Sequence, residues 1–168
     1  MRTEIASELK SLRLYGMASA WDDLLGQGET AALQSARWLL EHLLQAEGVD
    51  RAMRSVSYQM KAARFPMHRD LAGFDFEASA VERVLVSQLA SLAFTDQAHN
   101  VVLIGGPGTG KTHLASALGI AGITQHGKRV RFYSTVDLVN ALEQEKAQGR
   151  AGRIAASLLH VDLLILDE

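Results

Sequence analysis

Eight consecutive residues restrict this chain more than the rest of its 168: Gly105-Gly106-Pro107-Gly108-Thr109-Gly110-Lys111-Thr112. A glycine, four residues, then Gly-Lys-Thr is the spacing of a phosphate-binding loop. The glycines let the backbone curl so that successive N–H groups point inward at phosphate oxygens. Lys111 brings a positive charge to the β- and γ-phosphates, and Thr112 offers a hydroxyl to Mg²⁺. The helix that continues through His113 aims its N-terminal dipole at the anion. At average residue frequencies the pattern arises by chance in roughly one chain of this size in a few hundred. Its context narrows the odds further. Val101-Val102-Leu103-Ile104 reads as a buried parallel strand, and the residues after His113 read as a helix. Gly105 to His113 is therefore the candidate nucleotide-binding set.

The last residues carry a second sign of the same chemistry. Val161-Asp162-Leu163-Leu164-Ile165-Leu166-Asp167-Glu168 is an apolar run ending in two acids. Behind a phosphate-binding loop, such a strand delivers its acids beside the phosphates. Asp167 suits Mg²⁺, held through water. Glu168 suits the base that deprotonates an attacking water. A nucleotide switch without hydrolysis does not need Glu168, so the pair points to an ATPase using ATP and Mg²⁺. Domain boundaries fall in exposed linkers rather than at the catalytic end of a buried strand. The chain is thus expected to be part of a longer protein and inactive alone. The γ-phosphate sensor and any arginine given to a neighbouring subunit are expected after Glu168.

Composition suits a cytoplasmic protein. The net charge is −2 and there is no cysteine, so neither bulk attraction to nucleic acid nor a thiolate metal site is indicated. The opening residues lack the apolar stretch of a signal peptide or membrane span. The pattern divides the chain in three. Residues 1–64 read as a small all-helical domain, with a break at Gly16, a turn at 26–28 and Thr30 as a helix cap. Residues 65–78 read as a linker opened by Pro66. Residues 79–168 read as α/β. A helix over 79–94 comes first, then the strand–loop–helix of the phosphate-binding motif. A strand from Arg129 to Ser134, a helix from about Asp137, another near 150–159 and the acidic strand complete the order.

Charge is unevenly placed. Residues 51–69 hold Arg51, Arg54, Lys61, Arg64 and Arg69 and no acid. At 3.6 residues per turn, Arg51, Arg54, Lys61 and Arg64 share one arc with Tyr58, while Met53, Val56, Met60 and Ala63 share the opposite one. A basic face with an aromatic, backed by an apolar face, suits contacts to DNA phosphates without base reading. The same arc also suits a solvated surface, pairing with acids of a neighbouring subunit, or, least well, a membrane surface. Lys146, Arg150 and Arg153 offer a second basic strip.

The stretches ELKSLRLYGMASAW, KAARFP with FDF after it, NVVLIGGPGTGKTHLASALG, KRVRFYSTVDLVNAL and DLLILDE follow one another in the order of a known family. The chain resembles the IstB-like ATPases, helper proteins of insertion-sequence transposons. It is more distantly similar to the DnaC-type helicase loaders, and both groups belong to the AAA+ superfamily. The resemblance covers nearly the whole chain, and the KAARFP…FDF stretch is its most specific part. It implies a P-loop NTPase core of AAA+ type, cut after the Walker B strand, in an ATP-driven homo-oligomer. That oligomer would bind DNA and hand a target to a transposase. The alternative it implies is a helicase loader whose main task is docking another protein ring. It also implies that the next strand of the sheet lies between the P-loop strand and the acidic strand.

Overall fold

A computed structural model describes residues 2–26 and 31–168, with side chains from 5–26 and 35–168. The expected cap at Thr30 and most of the expected 26–28 turn lie outside the described residues. The chain forms two compact units, Met1–Ser55 and Val56–Glu168.

The first unit is helical. It holds α1 (Arg2–Ser11), α2 (Tyr15–Gly26) and the first part of α3 (Ala31–Ala63). Its core is Ile5, Leu9, Ala18, Trp21 and Leu44, with Leu12, Leu14 and Leu40 packed around them. Helix α1 does not break at Gly16, which lies inside α2. It ends instead at Arg13, whose φ is 61°. The Arg13 N–H donates to the Lys10 carbonyl and the Leu14 N–H to the Leu9 carbonyl. These two bonds close the helix as a glycine would, with Leu14 folded back on the apolar core.

The second unit begins inside α3, ahead of the boundary expected at 64. The reason is the apolar arc of that helix: Val56, Met60 and Ala63 pack with Ile123, Val130, Phe132 and Ile165. Met53, assigned to the same arc, is 60% exposed. The unit continues with α4 (Arg83–Ala90), α5 (Ala93–Asp96), α6 (Lys111–His126), β1 (Val130–Ser134), α7 (Thr135–Ala147), α8 (Arg153–Leu158) and β2 (Leu163–Asp167). The helix expected over 79–94 therefore starts later and is interrupted, because Leu92 takes a left-handed conformation. Its buried side chain fills the space beside Gly122 of α6.

Helix α6 is the centre of this unit. Almost every residue from Leu114 to Ile123 is buried, as suits a helix covered on several sides. Gly119 permits a similarly close approach: a Cβ there would stand 2.7 Å from the Phe65 ring and 2.8 Å from Ile165. The strands β1 and β2 pair in parallel, Val130 opposite Leu163 and Ser134 opposite Asp167. The run Val101–Ile104, expected as a strand of this sheet, has no ladder partner among the described residues. Val102 is 76% and Ile104 92% exposed, while Leu103 faces the apolar cluster around Phe74. Its residues alternate in exposure as a strand's do. Nor is 65–78 a loose linker: Phe65, Leu71, Phe74 and Phe76 all enter apolar clusters of the unit.

Two buried or half-buried carboxylates fix the crossover from β1 to β2. Glu145 of α7, 8% exposed, accepts the Arg153 and Ile154 N–H groups and so caps α8. Asp162, just before β2, accepts two bonds from the Arg129 guanidinium, at 3.0 and 2.8 Å, and one from the Arg129 N–H at 2.7 Å. These bonds, chiefly those from the Arg129 side chain, lower its pKa from 3.8 to about 2. A carboxylate with a depressed folded pKa stabilises the fold above its unfolded pKa and loses that contribution as the pH falls through the folded one. Acidification from pH 5 to pH 2 should therefore lower the unfolding temperature, and Asp162→Asn should flatten that acid loss. Because the Arg129 side chain is half exposed, the neutral-pH cost of Asp162→Asn is about 1 kcal/mol, below the full conversion of the shift. A pH series of thermal melts checks it; equal acid sensitivity in both proteins contradicts it.

Candidate nucleotide-binding site

The loop between Ile104 and α6 is built by its residue types. Gly108 and Gly110 take φ of +76° and +89°, values that favour glycine, and Gly110 starts α6. A Cβ on Gly105 would meet the Thr109 hydroxyl at 2.9 Å, and that hydroxyl donates to the Gly106 carbonyl at 2.9 Å. The loop is therefore narrow, with its own side chain as a brace. Lys111 folds its ammonium onto the Gly105 and Gly106 carbonyls at 2.8 and 3.0 Å. The positive charge thus sits at the loop itself, where phosphate oxygens can exchange for carbonyls.

The acidic strand meets this loop. Thr112 Oγ1 donates to Asp167 Oδ2 at 2.7 Å, across 55 residues of sequence. Two mechanisms hold Asp167 there. The register places Ser134 opposite it, and Thr135 Oγ1 donates to its carbonyl at 2.9 Å. Thr135 was not singled out by the sequence reading. Its neighbour Ser134 caps α7 by accepting from the Asp137 N–H, which is why the strand ends and the helix begins beside the acid. A hydroxyl and a carboxylate oxygen side by side form the hard-oxygen donor set that suits Mg²⁺. Glu168 follows, exposed. A cleft of about 640 Å³ joins Lys111, Asp167 and Glu168 and runs between residues 101–103 and β2. His113 points away from it. Its Nε2 donates to the Asp70 carbonyl at 2.9 Å and its ring stands edge to face with Phe74.

The basic arc of α3 departs from expectation. Arg51 pairs with Glu47 at 3.0 Å and donates to the Leu12 carbonyl, and Arg54 pairs with Asp50 at 2.7 Å and Glu47 at 3.4 Å. The acids stand one turn before the acid-free window, at i−4 and i−7, where helical geometry brings them to these arginines. Lys61 is exposed on α3, but Arg64 does not continue the arc: the helix ends at Ala63 and Arg64 takes a left-handed φ of 60°. Both are exposed and make no ion pair among the described residues. Arg153 uses its backbone N–H on Glu145, leaving its side chain exposed, as are those of Lys146 and Arg150.

A glycine-rich loop ahead of a buried helix, its lysine at the loop and its threonine bonded to the acid of a parallel strand, defines a P-loop nucleotide-binding protein. Comparison with known proteins gives the family: residues 7–168 match the IstB-like ATP-binding proteins, and the chain belongs to that family. It is 35% identical over 98% of its length to a protein of insertion sequence IS21 from Pseudomonas aeruginosa, named for ATP binding. It is 30% identical over its whole length to an equivalent of insertion sequence IS5376 from Geobacillus stearothermophilus. A third relative, from Sinorhizobium fredii, is 33% identical over 95% of the chain. The chain spans 62%, 66% and 54% of those three proteins' own lengths. No helix among the described residues is long and apolar enough to cross a membrane.

Proposed function

We propose that this protein hydrolyses ATP as a helper of DNA transposition, assembling as a homo-oligomer on DNA and delivering it to the transposase of its element. The observation that carries the enzymatic part is the Thr112–Asp167 bond, which brings the loop and the acidic strand into one site. In this reading Lys111 binds the β- and γ-phosphates, Thr112 and Asp167 hold Mg²⁺, and Glu168 takes the proton from the attacking water. Mg²⁺, when bound, neutralises charge on the transferring phosphoryl group. The names of the three relatives above, each of an insertion sequence, support the transposition setting over helicase loading. An AAA+ core would place a further strand between residues 101–104 and β2. The cleft there, and the exposure of Val102, Ile104, Leu164 and Leu166 around it, support that arrangement.

DNA contact is proposed at α3, through phosphates alone. Each phosphate contact contributes about 0.9 to the slope of log affinity against log salt. Arg51 and Arg54 are already engaged by Glu47 and Asp50, so Lys61 and Arg64 carry the contact. Replacing all four by alanine should weaken binding to every DNA sequence alike and flatten the salt slope by about two units. Anisotropy titrations at several salt concentrations, with sedimentation run alongside, measure this. An unchanged slope in intact oligomers removes α3 from the interface. Loss of the oligomer itself instead supports pairing between subunits.

A further inference from the structure

The segment from Phe65 to Phe76 has no regular secondary structure and looks like a tether in sequence. Its aromatic residues give it another character. Phe65 lies against Gly119 of α6, and Phe74 lies against Gly110, where a Cβ would stand 2.8 Å from the Phe74 ring. The segment therefore runs antiparallel to α6, its residues 65 and 74 matching 119 and 110. Nine helical residues rise only about 13 Å, whereas nine extended residues reach about 30 Å. Turns take up the difference. The Gly73 N–H donates to Asp70 Oδ1 at 3.0 Å, the Phe74 N–H to the Leu71 carbonyl at 3.2 Å, and the Glu77 and Ala78 N–H groups to Asp75 Oδ1.

Phe74 is 8% exposed and belongs to a small core with Val86 and Leu114. Its ring stands 5.1 Å from that of His113 and 4.9 Å from that of Phe76, both edge to face. Arg83 lies over Phe76 at 4.7 Å. The His113 ring, clamped on one side by Phe74, donates from Nε2 to the Asp70 carbonyl at 2.9 Å. A carbonyl only accepts, so Nε2 carries the proton. Gly110 and His113 are the two residues flanking Lys111 and Thr112. The segment thus grips the phosphate loop from behind at both ends of its functional pair, without entering the cleft.

We propose that residues 65–76 are a positioning strap for the phosphate loop. Phe74 backs Gly110 and the Asp70 carbonyl anchors His113, so this segment sets how well Lys111 and Thr112 meet the phosphates. The strap also follows directly on the end of α3, beside Lys61 and Arg64. Phe74 is a positioning residue: it touches the loop and not the nucleotide. The inference rests on ATP binding at this loop.

The test is calorimetric titration of MgATP into the intact protein and three variants, each with a thermal melt. Phe74→Leu, which keeps apolar volume but loses the ring, should weaken MgATP binding about tenfold, since small misplacement of a binding group has effects of that order or more. Val86→Ala loosens the same core away from the loop and should lower the melting temperature with affinity unchanged. Asp70→Ala opens the exposed turn that presents the His113 anchor. It should weaken binding a few-fold with the melting temperature unchanged, and it decides the matter alone should Phe74→Leu not fold. Parental affinity in both Phe74→Leu and Asp70→Ala overturns the strap. So does equal weakening by Val86→Ala, which would assign the effect to loosening of the core. Absence of MgATP binding in the parent overturns the nucleotide reading itself and is thereby told apart from failure of the strap.

Discussion

Lys111→Ala should weaken MgATP binding by at least about a hundredfold. The ammonium donates to two loop carbonyls, at 2.8 and 3.0 Å, and so stands where phosphate oxygens can replace them. A hydrogen bond involving a charged group contributes about 1.5–3 kcal/mol. Two such bonds to phosphate amount to at least about 3 kcal/mol, or two orders of magnitude in affinity. The same bonds contribute little to the fold, because the carbonyls they satisfy lie on an exposed loop that water can reach. The melting temperature without nucleotide should therefore stay near that of the parent. Affinity within tenfold of the parent would mean that the loop binds something other than a polyphosphate.

Glu168→Gln should separate binding from turnover. The amide keeps the size of the carboxylate but cannot take a proton from water. General bases contribute about 10²–10⁴ in rate, so turnover should fall at least about a hundredfold. Binding should stay within a few-fold, because Thr112 bonds Asp167 and not its neighbour. Phosphate release under saturating MgATP measures the first, and nucleotide titration the second. Normal turnover in Glu168→Gln would assign the base to another residue.

The layout of the candidate site was largely legible in the sequence, because a glycine-rich loop of this kind is a local feature. Its glycines, lysine and threonine are consecutive, and their backbone and charge requirements do not depend on distant partners. The acidic strand was legible by its apolar run and terminal acids, and the Ser134–Asp167 register then brought Asp167 to the loop. Thr135 escaped notice because a threonine opening a helix is ordinary in sequence; only the register turns its hydroxyl toward Asp167.

The errors share a cause: tertiary partners decided what local pattern left undetermined. Residues 65–78 read as a linker because Pro66 ends the preceding helix and Gly73 relaxes the chain. Phe65, Phe74 and Phe76 nevertheless have apolar area to bury, and glycines of α6 offered room for two of them. The strand expected at 101–104 keeps its alternation but has no ladder partner among the described residues. The break expected at Gly16 fell at Arg13, because Leu14 gains core contacts only when the chain turns there. The basic arc was counted over a window that began just after Glu47 and Asp50, the acids that engage its first two arginines.

The most direct test of the central claim is calorimetric titration of MgATP into Glu168→Gln, beside the double variant Lys111→Ala/Glu168→Gln. Without turnover, the heat reports binding alone. The predicted result is one saturable site per chain in the first protein and no measurable binding in the second. Equal binding in both proteins, or none in Glu168→Gln, would contradict ATP recognition by this loop.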